Sequence, residues 1–438
     1  MKVRSTVLVV GSLATAVACG GSDATPASTP DARDAAGADA GAPASDAAFA
    51  ADVPEPAWSG TTVEPGCQVN GCILDFQSVT TIPQGLLATS AGPGFTVENG
   101  VSSYTIRYYS DGDEITGSVF VPDMPAPEGG FPVVVMNQFT SGIGEPCAPS
   151  QGNLGLAVAS TTAMHGILTL VPDAPSYGPP PTGAYLVASV SGRAALDGVR
   201  AAFHLAPALG LPVARRAVIA GLSQGAHSTM AAAAEMATYA PNLEVRGFAA
   251  AEPPSNLRGA DNAVLQGNAD VPVFLPMRMW SWQRFYGLGG EPVFKEPYAS
   301  QVEGWFQTDC LFMGSNGRSG TLESHFAGAP PSAVVSDVYL EYARTDQWPE
   351  GWSKALDAST PMPHGAPRPI VVFQGTADAT VPKSQTDAYV AALRAAGTEV
   401  DYRVAEGGTH GTTALSSFTV AQVANDDALA WIREHLTP

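Results

Sequence analysis

Residues 217–225 read Ala-Val-Ile-Ala-Gly-Leu-Ser-Gln-Gly, an apolar β-type run that enters a G-x-S-x-G pentapeptide and continues into alanine-rich helical sequence. A serine held between two glycines, with a strand before it and a helix after it, sits on a turn too sharp for ordinary side chains at 221 and 225. Its hydroxyl is thereby presented to a reacting group. A serine hydroxyl is a weak nucleophile at neutral pH, so it needs a base within hydrogen-bond reach and a third group that holds this base in one tautomer. Ser223 is the candidate nucleophile, and the downstream chain must supply an acid and then a histidine.

Both are found in that order. The run Pro369-Ile370-Val371-Val372-Phe373 opens through Gln374-Gly375-Thr376-Ala377 into Asp378, a carboxylate just past the end of a buried strand, where parallel sheets place their sites. The plain alternative for Asp378 is a turn or cap ahead of a helix starting near 383. After the next strand, His410 stands in Glu406-Gly407-Gly408-Thr409-His410-Gly411, flanked by small residues that let it reach back to Ser223. His227, four residues after the serine, lies inside the elbow helix and reads as structural. His165, His204, His325 and His364 precede the acid, and His435 falls in the terminal helix. The oxyanion formed on attack needs two donors: the backbone N–H of Gln224, and one from an earlier strand loop. Val133-Val134-Val135-Met136-Asn137-Gln138-Phe139-Thr140-Ser141-Gly142 is the candidate strand and loop.

The elements that must position these groups follow from the hydrophobic pattern. From about residue 100, short β-branched runs alternate with longer helical stretches, as in a mostly parallel sheet covered by helices on both faces. Eight strands are predicted, at 104–109, 115–121, 132–137, 166–171, 216–221, 246–251, 369–374 and 400–404, with helices over about 184–206, 223–238, 384–396 and 418–435. The chain is thus α/β, with an α/β-hydrolase fold expected. Residues 256–366 break the alternation and are rich in large apolar side chains, among them Phe274, Met277, Met279, Trp280, Trp282, Phe285, Tyr286, Phe294, Trp305 and Phe306. They read as a cap inserted between two halves of the core, 61–255 and 367–438. Aromatic stripes are mostly packing, and a few of these residues are expected to line an acyl path.

The chain of 438 residues carries 41 acids against 21 bases, a net charge of −20 that offers no basic face to a phosphate backbone. Nucleic acid is excluded as a partner, and a neutral or apolar substrate is favoured over a polyanion. Residues 1–18 have the positive start, apolar run and small-residue end of a signal peptide. Ala16-Val17-Ala18 fits an ordinary cleavage site, while Cys19 at the next position also resembles a lipobox; the two readings share one cut, and lipidation of Cys19 with membrane attachment is the favoured one. The protein is expected to be exported, at the cell envelope or secreted. Residues 19–60 are dominated by Ala, Asp, Pro, Gly and Ser, hold seven acids against Arg33, and read as a disordered tether.

Four cysteines remain beyond Cys19, an even number in an exported chain, so two disulfides are expected. Cys67 and Cys72 suit a small local loop, and by elimination Cys147 pairs with Cys310. No second close pair of cysteines or histidines accompanies them, so no metal site is expected, and acyl transfer by such a triad requires no cofactor.

Four separated stretches resemble the bacterial relatives of the fungal-type secretory lipases. Thr140-Ser141-Gly142 with Cys147-Ala148-Pro149-Ser150 is similar to the family's oxyanion loop. Tyr185-Leu186 with Arg193 and Leu196-Asp197-Gly198-Val199-Arg200-Ala201-Ala202 is similar to the helix before the elbow strand. Gly221-Leu222-Ser223-Gln224-Gly225-Ala226-His227 resembles the elbow, and Gln374 to Asp378, Val381-Pro382 and His410-Gly411 resemble the acid and base loops. The resemblance spans roughly residues 100–438. It implies an oxyanion donor at or near Gly142, with Ser141 beside it, a 147–310 disulfide tying that loop to the cap, and a cap that supplies the acyl-binding surface. The chain departs from the pattern at Gln138-Phe139, where the family has His-Gly, and at Ala226, where it has glycine.

The leading expectation is a serine carboxylester hydrolase, lipase or esterase, acting on a small-molecule or lipid ester as a monomer. A prolyl-type serine peptidase shares the fold and triad but usually adds a propeller or an acid pair that grips an amino terminus, and neither is visible here. A non-catalytic binding protein is disfavoured because all three triad positions are occupied.

Overall fold

The computed structural model describes residues 63–91, 96–151, 154–173, 175, 183–311, 317–318, 320–362, 368–410 and 426–437. The expected signal peptide, Cys19, the tether, His364 and Gly411 lie outside them.

Nine strands form one sheet: β1 (Ile73–Ile82), β2 (Gly100–Ser110), β3 (Asp113–Asp123), β4 (Phe131–Asn137), β5 (Leu168–Pro172), β6 (Val213–Leu222), β7 (Val245–Ala251), β8 (Ile370–Gly375) and β9 (Val400–Ala405). Their spatial order is β1-β2-β3-β5-β4-β6-β7-β8-β9. Pairing is antiparallel from β1 to β5 and parallel from β5 through β9. The eight predicted strands are all present, and β1 is a ninth. Its residues Asp75, Gln77, Ser78, Thr80 and Thr81 alternate weakly, as befits an edge strand with much of its length in water, which is why the pattern does not announce it.

The inner parallel strands are buried on both sides, so successive side chains feed two separate cores. Val133 and Val135 of β4 join Ile219 and Val372 on one face, while Val134 and Met136 join Val218 and Val371 on the other. Helices α1 (Gln84–Ala91), α2 (Leu154–Ala163), α3 (Ala188–Ala208) and α4 (Gln224–Tyr239) belong to the first half of the core. Leu196 and Val199 of α3 and Met230 of α4 cover the first face. Gly192 lets these two helices approach closely, because a Cβ there would lie 2.6 Å from the Ala231 carbonyl carbon. Met164 and Ile167, with Trp431 and Ile432 of the last helix, cover the other face.

Between β7 and β8 the chain forms α5 (Leu257–Gln266), α6 (Phe274–Phe285), α7 (Tyr298–Thr308), α8 (Pro331–Val334), α9 (Asp337–Thr345) and α10 (Glu350–Ala358). These helices enclose a core of their own, with Met277, Trp282, Phe306, Phe326, Tyr339 and Trp352 buried in it. Most of the aromatic stripe is therefore packing, as expected. The cluster also takes in Ile143, Tyr185 and Leu186 from the sheet-bearing half, so the inserted helices pack on that half through it. The last two helices among the described residues are α11 (Lys383–Ala395) and α12 (Asp426–Leu436). Both expected disulfides are formed, Cys67–Cys72 and Cys147–Cys310.

Candidate active site

Ser223 joins β6 to α4 with φ 53° and ψ −115°, a backbone conformation a non-glycine residue adopts only under constraint. The constraint comes from both flanking glycines. A Cβ on Gly221 would lie 2.3 Å from the Gly225 carbonyl carbon, and one on Gly225 would lie 2.1 Å from the Asn137 carbonyl oxygen. The turn closes against itself and against the end of β4, leaving the serine hydroxyl to point away from the sheet.

The loops after β8 and β9 bring the expected partners to that hydroxyl. His410 Nε2 lies 3.0 Å from Ser223 Oγ, and His410 Nδ1 lies 2.8 Å from Asp378 Oδ2. Asp378 is fixed on its other side by the backbone N–H groups of Thr380 and Val381, each donating to Oδ1 at 2.8 Å. Thus the turn-forming role and the partnership with histidine coexist in one residue. Gln374, wholly buried at the end of β8, donates from Nε2 to Asp378 Oδ2 at 3.3 Å and accepts from Thr386 Oγ1 at 2.6 Å, tying the acid loop to α11.

One carboxylate at this site is absent from the sequence-based expectation. Glu252 follows the last residue of β7, has φ 53°, is wholly buried, and places Oε2 at 3.2 Å from His410 Nδ1. Its signal was an acid directly after an apolar strand, between the serine and the histidine in chain order. Among the described residues, Glu252, Asp378 and His410 are the group whose ligand atoms could converge on a metal, but two of the three already face each other across His410 Nδ1.

The expected oxyanion region has two sides. Gln224 is the first residue of α4, so its N–H lies at the helix N-terminus, where the helix dipole favours negative charge. Across from it, Asn137 and Gln138 meet the elbow, since their carbonyl oxygens are the nearest atoms to a Cβ built on Gly225. Ser141 and Gly142, the residues implied by the resemblance, pack toward the disulfide. Ser141 Oγ donates to the Cys147 carbonyl at 2.8 Å, and its own carbonyl accepts from Leu311 N at 2.8 Å. Gly142 has φ 131° and leaves no room for a Cβ, which would lie 2.6 Å from Cys147 Sγ. Ser150 anchors the far end of the segment through its N–H, 2.8 Å from Asp173 Oδ1. The loop is thus held by the disulfide, by Asp173 and by the segment after α7 that carries Cys310 and Leu311.

His227 is fully buried and donates from Nε2 to the Ser359 carbonyl at 2.8 Å. Burial, together with the nearby positive charge of Arg278, pushes its pKa down to about 4 even though the hydrogen bond to Ser359 opposes the shift. The ring is therefore a neutral pin between elbow helix and cap. A cavity of about 800 Å³ behind the acid loop is lined by Ser255, Met362, Thr380 and Tyr389, with neither Ser223 nor His410 in its wall.

The secretory lipase family profile matches residues 155–269, and the prolyl oligopeptidase family profile matches residues 323–438. A secreted triacylglycerol lipase of Malassezia furfur is 29% identical over 215 residues, 45% of this chain and 51% of that protein. Another from Malassezia globosa is 32% identical over 165 residues, 35% of each chain. The chain thus spans about half or less of the length of these relatives. Among solved structures, the rice cell wall degrading esterase LipA from Xanthomonas oryzae superposes with TM-score 0.70 at 17% identity, covering 83% of this chain and 100% of its own. Candida antarctica lipase A in its closed state gives TM-score 0.60 at 16% identity and 88% coverage of both chains. The chain has the α/β-hydrolase fold, and the segment around the elbow, residues 155–269, is similar to the secretory lipases.

Proposed function

We propose that the chain is an exported carboxylester hydrolase that works through an acyl-enzyme, with Ser223 as nucleophile, His410 as base and Asp378 as orienting acid. The observation that carries this reading is the unbroken hydrogen-bonded line from Ser223 Oγ through His410 to Asp378. Ser223 Oγ attacks the ester carbonyl carbon while its proton passes to His410 Nε2. Asp378 accepts the Nδ1–H bond, holds the ring in the required tautomer and stabilises the imidazolium. The carbonyl oxygen, now negative, is met by the Gln224 N–H and by a backbone N–H of the loop 138–142 that includes Ser141 and Gly142. Collapse expels the alcohol, which takes the proton from Nε2. Water then attacks the acyl group, and the same histidine accepts and returns a proton to release the acid and restore Ser223.

The cap, assigned to 256–366 between core segments 61–255 and 367–438, supplies the acyl-binding surface that the resemblance implies, resting on a buried apolar core that includes Tyr185 and Leu186. Together with the acidic net charge, this favours uncharged esters with a medium or long acyl chain. Residues 1–18 direct export, and Cys19 is the lipid-bearing residue at the start of the tether 19–60. The match of residues 323–438 to the prolyl oligopeptidase family supports a second reading, a serine peptidase with the same triad. Hydrolysis of p-nitrophenyl esters of graded chain length, set against prolyl p-nitroanilides, tests the assignment. Ester turnover that is lost in Ser223→Ala is expected, whereas turnover of the anilides alone would transfer the site to peptide chemistry.

A further inference from the structure

The buried carboxyl of Glu252 is not needed by the three-residue mechanism above. Its backbone is held in the left-handed region at φ 53°, a conformation that costs a non-glycine residue of order 1 kcal/mol or more and that tends to persist at functional sites. Two strands impose it. Ser223 N donates to the Ala251 carbonyl at 2.9 Å, and Glu252 N donates to the Phe373 carbonyl at 2.8 Å, so the turn is clamped between the elbow and β8. The side chain that emerges is wholly buried and comes within 3.2 Å of His410 Nδ1, on which Asp378 Oδ2 already converges at 2.8 Å. A carboxyl group withdrawn from water without a polar neighbour is costly, and Glu252 Oε2 approaches His410 Nδ1 at ion-pair distance, while the directed hydrogen bond of Nδ1 goes to Asp378.

We propose that Glu252 is a second acid of the triad, a positioning residue that shares the His410 Nδ1–H with Asp378 and can hold the ring in its working tautomer when Asp378 is removed. This rests on the reading of Ser223, His410 and Asp378 given above. Asp378 is the principal partner, because its acceptor distance is shorter and its loop is fixed by Thr380, Val381 and Gln374. Glu252 is carried on a different strand and owes nothing to that loop. The histidine is therefore aimed from two independent supports, the ends of β7 and β8. Orientation errors of the imidazole are resisted on both sides of Nδ1.

The test is the rate at which a fluorophosphonate labels Ser223, which reports the serine–histidine unit whatever the natural substrate, together with kcat and KM on a p-nitrophenyl ester. In a triad with one acid, Asp378→Asn costs about 10⁴-fold. Here Asp378→Asn should cost only about 10²-fold, and Asp378→Asn/Glu252→Gln should fall to the full loss of about 10⁴-fold, with the change in kcat and not in KM. Glu252→Gln alone should slow labelling by a smaller factor than Asp378→Asn. A merely structural Glu252 would lower the thermal midpoint without this coupling. Equal rates for Asp378→Asn and the double variant, or a full loss of about 10⁴-fold in Asp378→Asn alone, would overturn the proposal. The single variant decides even if the double variant does not fold. Failure of the wild type to label at Ser223 would instead defeat the hydrolase reading itself, and this proposal with it.

Discussion

His227 Nε2 stands 2.8 Å from the carbonyl oxygen of Ser359, joining the helix that begins after Ser223 to the end of α10. The ring is neutral in the folded protein because burial pushes its pKa down to about 4, while an unfolded chain binds a proton there near its ordinary value. The unfolded state then holds more protons between those two values, so stability is complete above about pH 6.5 and falls as pH drops toward 4, by up to about 3 kcal/mol. Urea midpoints at pH 7 and pH 4.5 measure this. His227→Gln, which keeps an N–H donor but does not titrate, should flatten the dependence over that window. An unchanged pH slope in the variant would remove His227 from the account of acid lability.

The Cys147–Cys310 bond closes 163 residues of sequence and borders Gly142. Replacing both cysteines by serine should cost at most roughly 5 kcal/mol through the unfolded state. The same change frees the loop after β4, so kcat should also fall at temperatures where the variant remains folded, because a displaced donor stabilises the tetrahedral intermediate less. Full kcat in a folded Cys147→Ser/Cys310→Ser protein would leave the bond a purely structural one.

Gly225→Ala tests the elbow. Its Cβ would press on the Asn137 carbonyl at the end of β4, a main-chain group that cannot swing aside. The expected outcome is a lowered thermal midpoint and a loss in kcat of about 10²-fold or more as Gln224 N shifts from its place. A variant with wild-type kcat and midpoint would mean the elbow tolerates what its geometry forbids.

Much of this site was legible because its signals are local. G-x-S-x-G after an apolar strand, an aspartate just past the next-to-last strand and a histidine among glycines each mark a loop end, and the sheet brings loop ends together. Glu252 also follows an apolar strand directly, but Ala-Glu-Pro-Pro reads as an ordinary loop start and Asp378 already fills the acid's place in the chain order. Only the pairing of β7 beside β8 places its carboxyl against His410. Strand β1 was hidden for a different reason: at a sheet edge the pairing is made by the backbone, and its polar side chains need not alternate cleanly. Gly142 shows the opposite case, a residue singled out by resemblance at which a Cβ would run into Cys147 and Asp309.

Cys19 follows an apolar run read as an export signal and precedes an acidic, apolar-poor stretch, and lipidation there would place the protein on a membrane. Wild type expressed in a bacterium should enter the detergent phase of a Triton X-114 separation, and Cys19→Ala should stay in the aqueous phase. Identical partitioning of the two proteins would indicate release after ordinary cleavage.

The most direct test of the central claim is to react the purified protein with a fluorophosphonate, map the adduct by peptide mass spectrometry, and compare ester turnover in wild type and Ser223→Ala. The account predicts a single adduct on Ser223 and a fall in kcat of roughly 10⁴-fold or more in a variant whose thermal midpoint is preserved. An adduct on another serine, or near wild-type ester hydrolysis by Ser223→Ala, would contradict it.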